Sequence, residues 1–125
     1  MTKGQMSEAD LKRAVSDYLE YKTNLGELYA DRLNAGEVIV NYGASGRRRI
    51  KLCREGTSDF FVIRKWYPVG APNKWETLIT FLELKSAKGK TSPAQNAFKL
   101  LVESQGASYF VIHSIEELEA ILEKK

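Results

Sequence analysis

Apolar residues recur at helical spacing in three stretches of the chain, and between them they cluster in short runs of strand length. Leu11, Ala14, Val15, Tyr18 and Leu19, followed by Lys22, form the first stripe. Ser7 stands three residues before Asp10 to open it, and Gly26 closes it. A second stripe of Ala94, Ala97, Phe98, Leu101 and Val102 follows Ser92, with Pro93 at its first position, Gln95 at capping distance and Gly106 as its stop. Leu118, Ile121 and Leu122 form the third, behind Ser114 and Glu117. Strands are predicted over 28–33, 37–42, 49–52, 60–64, 78–84 and 109–113. Gly43-Ala44-Ser45-Gly46 predicts a hairpin turn that lifts Arg47, Arg48 and Arg49 onto its second strand. The order is helix, several antiparallel strands, helix, strand, helix. It predicts one α/β domain over residues 1–125, a mixed sheet flanked by helices with the N-terminal helix first, and no repeat or linker.

The connections predict the pairing. Pro68, Gly70, Pro72 and Asn73 separate the runs 60–64 and 78–84, which makes them an antiparallel hairpin with a long loop. The helix over 92–105 carries the chain from 78–84 to 109–113 as a crossover, so those two strands are parallel. Glu83 and Lys85 lie two residues apart in an otherwise apolar run, and strand alternation sends both to the same side. Charged groups beside buried apolar neighbours lose hydration, a cost that a plain ion pair offsets poorly. Asp59, at the head of Phe60-Phe61-Val62-Ile63, falls roughly opposite the Glu83–Lys85 end of its partner. Register decides whether it faces them, because a slip of one residue would turn Asp59 to the other side.

Composition narrows the chemistry. The 125 residues are 43% hydrophobic, enough for a core, and carry a formal charge of +3. The sequence pI is about 9.0. Basic residues cluster at Arg47, Arg48, Arg49, Lys51 and Arg54, and again at Lys85, Lys88 and Lys90. Such clusters are either solvated surface or a footing for a polyanion. Cys53 and His113 are the only residues of their kinds. That excludes an intrachain disulfide, a Cys/His zinc cluster and histidine-assisted serine or cysteine catalysis, since His113 ends an apolar run. A metal site here must be built from oxygen, which points to Mg²⁺ or Mn²⁺. No signal peptide or membrane-length apolar run is present, so a soluble, cytoplasmic protein is expected.

Each candidate has a plainer alternative. Glu8 falls on the inward stripe of the first helix, where it could complete a metal shell or simply favour the helix dipole. Glu20 lies on the polar face with Asp17 and Asn24 and is no ligand. Asp59 alone is an ordinary turn acid; beside Glu83 and Lys85 it reads as a site. Gln95 is either the reciprocal cap of Ser92 or a partner for a metal-bound water or a phosphate.

Taken in order, Ser7-Glu8, Arg32-Leu33-Asn34, Gly56-Thr57-Ser58-Asp59, Glu83-Leu84-Lys85, Gly89-Lys90-Thr91-Ser92-Pro93-Ala94-Gln95, Gly106 and Val111-Ile112-His113-Ser114 span nearly the whole chain. This set resembles the PD-(D/E)xK nuclease superfamily, and within it the virus-type replication-repair nuclease (VRR-NUC) domains in their small stand-alone phage and prophage form. Two positions depart from the pattern: Ser58 stands before the acid, and His113 stands where the family often carries arginine. The resemblance implies a restriction-endonuclease-like fold in which Asp59 and Glu83 bind Mg²⁺ or Mn²⁺, with the Leu84 carbonyl and Glu8 contributing. It implies that Lys85 orients the attacking water and that Gln95 supports the water or the ligand shell. The expected activity is a structure-selective DNA endonuclease, acting on Holliday or other branched junctions as a homodimer. Arg47, Arg48, Arg49, Lys88 and Lys90 would grip backbone phosphates. A nicking or restriction-like nuclease on duplex DNA, and a non-catalytic DNA-binding module, are the alternatives.

Overall fold

A computed structural model describes residues 6–125. Helix α1 (Glu8–Asn24) is followed by strands β1 (Tyr29–Arg32), β2 (Glu37–Asn41), β3 (Arg47–Lys51), β4 (Phe60–Trp66) and β5 (Glu76–Leu84). Helix α2 (Pro93–Ser104), strand β6 (Ser108–Ile112) and helix α3 (Ile115–Leu122) complete the chain. Four strands form a mixed sheet in the order β1-β4-β5-β6, antiparallel except for the β5–β6 pair, and β2 and β3 form a separate antiparallel ribbon. The fold class is therefore α/β with the N-terminal helix first, and the α2 crossover joins parallel strands as its length requires.

Alternation along the strands sorts the sheet into two faces. Phe60, Val62, Leu82, Leu84 and Ile112 point one way, where Leu11, Val15 and Leu19 of α1 and Leu118 of α3 close over them to form the buried core. These α1 residues repeat every four positions, one stripe of a helix. The serine caps act where the sequence places them: Ser7, Ser92 and Ser114 each accept from the backbone N–H three residues on. Gly26, with φ at 77°, ends α1 in the left-handed conformation that suits glycine.

The structure departs from the sequence expectation in several places; β4 and β5 each run two residues further toward their connecting loop than 60–64 and 78–84. The strand expected at 49–52 begins at Arg47, because the 3₁₀ turn Gly43–Ser45 is short enough for pairing to resume at once, Asn41 opposite Arg47. The β2–β3 ribbon stays outside the main sheet; its residues are exposed apart from a half-buried Val40, so it adds almost nothing to the core. The α2 stripe is only partly used. Phe98 is buried, but Leu101 remains 49% exposed because α2 packs along β6 at the sheet edge and leaves the middle of that face open.

Among the described residues no helix is long and apolar enough to cross a membrane.

Candidate active site

The register settles the facing of the two acids. Phe60 pairs with Leu82, so Asp59, one residue earlier, comes opposite Glu83, one residue later. Both carboxylates therefore lie on the side away from the core cluster, at the end of β4 and β5. Asp59 is held from two directions. Its Oδ2 accepts from the Leu84 amide at 2.8 Å, and its own carbonyl accepts from the Leu33 amide at 2.9 Å. Ser58 is fully buried and donates to the Phe60 carbonyl, which fixes the bend just before the acid.

Glu83 is only 4% exposed. Burial first, and then the charge and hydrogen bond of Asp59, raise its carboxyl from an ordinary 4.5 to about 8, against the opposing pull of Lys85 and Lys12. A proton on Glu83 is thereby favoured near neutral pH, beside the hydrogen bond to Asp59. The Lys85 ammonium stands 3.8 Å from Glu83 Oε2, its stem mostly covered. Gly89 makes that cover possible: a Cβ there would sit 3.1 Å from Lys85 Cβ. Gly56 has a similar role with a stricter limit. Its φ is +87°, and a Cβ would come within 2.3 Å of the Ala94 carbonyl oxygen. The loop leading to Asp59 is thereby seated on the first turn of α2, and the segments around 56–59, 83–85 and 92–95 converge.

The remaining candidates are placed as follows. Gln95 is a helix cap: its Oε1 accepts from the Ser92 amide at 2.9 Å while its own amide donates to Ser92 Oγ. Glu8 does not join the acid pair. As the first residue of α1 it lies beyond the end of the buried stripe, is exposed, and has its carboxylate 4.0 Å from Lys12. The three arginines are exposed on β3, and alternation divides them. Arg48 shares a face with Val38, Val40 and Ile50; Arg47 and Arg49 lie on the other, where Arg49 meets Glu37 at 3.5 Å. Lys88 and Lys90 are exposed in the loop after β5. His113 is tied to Glu117 through both its backbone amide and its ring.

Two residues of the site escaped the sequence reading. Lys12 lies 3.4 Å from Asp59 Oδ1; in sequence it is merely the lysine four residues after Glu8, an ordinary surface pair on a helix. Tyr109 belongs to the apolar run of β6, yet its hydroxyl is buried without a hydrogen-bond partner among the described residues. Burial and the charges of Glu83 and Asp59 hold its pKa above the usual tyrosine value. Only the parity of Tyr109 with Val111, which pairs with Glu83, could have signalled that it shares their face.

Asp59 and Glu83 suit a hard divalent ion. They offer oxygen donors on one spot, beside a buried hydroxyl that lacks a partner. Among the described residues no group of three or more acids, histidines or cysteines is assembled for a metal. The donor set therefore matches an ion held by two carboxylates and completed by water and substrate oxygens, as Mg²⁺ usually is, rather than a closed protein cage. No protein-family model, curated protein or solved structure matches this chain.

Proposed function

We propose that this protein is a Mg²⁺- or Mn²⁺-dependent endodeoxyribonuclease of the PD-(D/E)xK type, hydrolysing phosphodiester bonds in DNA. The observation that carries the reading is a buried Glu83 facing Asp59, with Lys85 3.8 Å away. A carboxyl displaced this far from its ordinary pKa is costly to the fold, and such groups concentrate at functional sites. The ribbon supports a DNA substrate. It leaves Arg47, Arg48, Arg49 and Lys51 exposed on legs that return directly to Leu33 and Arg54, next to Asp59.

Asp59 and Glu83 would hold the ion, with the Leu84 carbonyl as a further donor. The ion supplies Lewis-acid polarisation of the phosphate and a nucleophile available at neutral pH. Asp59 is positioned for its part because one oxygen is fixed by the Leu84 amide and the other is paired with Lys12. Glu83 must give up its proton to become a ligand. Lys85, covered along its stem and close to Glu83, holds a positive charge where a water or a phosphate oxygen would sit, and so orients the attacking group. Gln95 braces the first turn of α2 through its bond from the Ser92 amide.

Branched DNA is the proposed substrate. One chain carries one such acid pair, a four-way junction needs two symmetric cuts, and a two-fold dimer would supply both. The test compares a four-way junction with its linear duplex in Mg²⁺ and Mn²⁺, for the wild type and Asp59→Ala. Paired symmetric cuts on the junction, absent from the variant, are expected. Equal cutting of both substrates would leave a general duplex nuclease, and binding without cleavage would leave a DNA-binding module.

A further inference from the structure

Asp59 presents its two oxygens differently. Oδ2 accepts from the Leu84 amide at 2.8 Å, while Lys12 Nζ lies 3.4 Å from Oδ1, and Glu83 hydrogen-bonds to the same carboxylate. Lys12 reaches this point from α1, whose apolar stripe packs on the opposite face of the sheet; its side chain rounds the sheet end and remains 34% exposed. Its other partner, Glu8, is exposed and 4.0 Å away. A long flexible stem, one ion pair to a candidate metal ligand and an open path to solvent make a charge that can move.

Resting on the reading of Asp59 and Glu83 as metal ligands, we propose that Lys12 is the resident counter-cation of Asp59, competing with the divalent ion for Oδ1 until a backbone phosphate draws it away. A doubly charged ion at Oδ1 repels the ammonium, so the two exclude each other at that oxygen. An incoming phosphate offers Lys12 a stronger partner than the exposed Glu8. Metal and DNA are thereby coupled: each binds more tightly when the other is present, and by linkage the factor is the same in both directions. Lys12 is a positioning residue in this scheme. It holds Asp59 oriented in the metal-free protein and releases it when substrate arrives.

The experiment is a Mn²⁺ titration of the full chain followed by electron paramagnetic resonance. It is run with and without a short duplex of phosphorothioate linkages, which resists hydrolysis. Without DNA, Lys12→Gln should bind Mn²⁺ about two- to fivefold more tightly than the wild type, the worth of one part-exposed ion pair. It should also gain less than the wild type from added duplex. Lys22→Gln makes the same charge change at the far end of α1, where Lys22 pairs with Glu27, and should leave the affinity unchanged. Equal or weaker Mn²⁺ binding by Lys12→Gln, or the same gain in Lys22→Gln, overturns the proposal. Failure of Mn²⁺ to bind wild type and variant alike overturns the metal site itself, a result distinct from equal binding by both.

Discussion

The two faces of the four-stranded sheet are built from neighbouring residues of the same strands and behave oppositely. On one face Phe60, Val62, Leu82, Leu84 and Ile112 are buried to within 2% under α1 and α3. On the other, α2 covers only the β6 side and the neighbouring part of β5, with Phe98 meeting Phe81 and Tyr109 edge to face. There Ile63 and Ile79 stay 36% and 42% exposed, and Asp59, Glu83 and Lys85 gather at one end. The packed core therefore lies on the closed face and the charged cluster on the open one, and β5 switches between them at every residue. Leu82 and Leu84 anchor the strand so firmly that Glu83 between them has no freedom to turn away from Asp59. A buried, partly protonated acid is tolerated because its neighbours on both sides are core.

The largest test of this division is mechanical. Leu82→Ala should destabilise the protein by about 2–5 kcal/mol, since it opens a cavity in a closed core. Ile79→Ala on the open face should cost within about 0.5–1 kcal/mol, as for other surface truncations. Urea midpoints of the two variants measure the difference, and similar losses would mean that the open face is covered in solution.

The next test concerns pH. Folding raises Glu83 from 4.5 to about 8, so the native state keeps a proton that the unfolded chain has lost. Below about pH 4.5 both states are protonated and nothing is lost. As the pH rises toward 8 the metal-free protein loses stability, and above 8 the loss is complete. Glu83→Gln should flatten this dependence in thermal melts at pH 5, 7 and 9. A divalent ion takes the ionised form, so Mn²⁺ binding at pH 7 should release about one proton, read by calorimetry in buffers of different ionisation enthalpy. A pH-independent wild type, or binding without proton release, would break the link between Glu83 burial and the metal.

Much of this was legible from the sequence because it depends on local pattern. The helical stripes, the serine caps, the hairpin and the parallel crossover follow from periodicity and connection length. The Glu83–Lys85 pairing follows from alternation alone. What was not legible depends on where elements meet. Lys12 looks like half of a surface pair until the first turns of α1 are seen to lie beside Asp59. Glu8 fits the inward stripe on a helical wheel, but at the first position of α1 it is exposed, one turn before the buried stripe begins at Leu11. The α2 stripe reads as core, and no periodicity reveals that half of it faces an open cleft lined by Ile79, Phe81 and Leu101. Gln95 fits two roles in the sequence, and the structure shows the cap, through its bond from Ser92. That bond yields a smaller prediction. Ser92→Ala should cost about 1 kcal/mol through lost capping, measured by urea unfolding. No destabilisation would show that the first turn of α2 is held by its seat on Gly56 alone.

The smallest effects belong to the ribbon, where a second pair of faces repeats the contrast of the first. The run Arg47-Arg48-Arg49 reads as one basic patch, but pairing sends Arg48 to the face of Val38, Val40 and Ile50, and Arg47 to the face of Asn41, Ile39 and Lys51. Val38 and Ile50 are 42% and 37% exposed, which makes the Arg48 face the more apolar of the two. A ribbon lying flat on DNA offers phosphates one face only, and the one carrying Arg47, Arg49 and Lys51 has the greater charge. Arg49 is already engaged by Glu37 at 3.5 Å, so Arg47 is the cation most available. Arg47→Ala should therefore lower the slope of log binding constant against log salt by about one unit, while Arg48→Ala leaves that slope nearly unchanged. Equal changes in both would mean that the ribbon enters a groove edge-on, with phosphates on either side. A change in Arg48→Ala alone would reverse the assignment and put the apolar face toward the DNA.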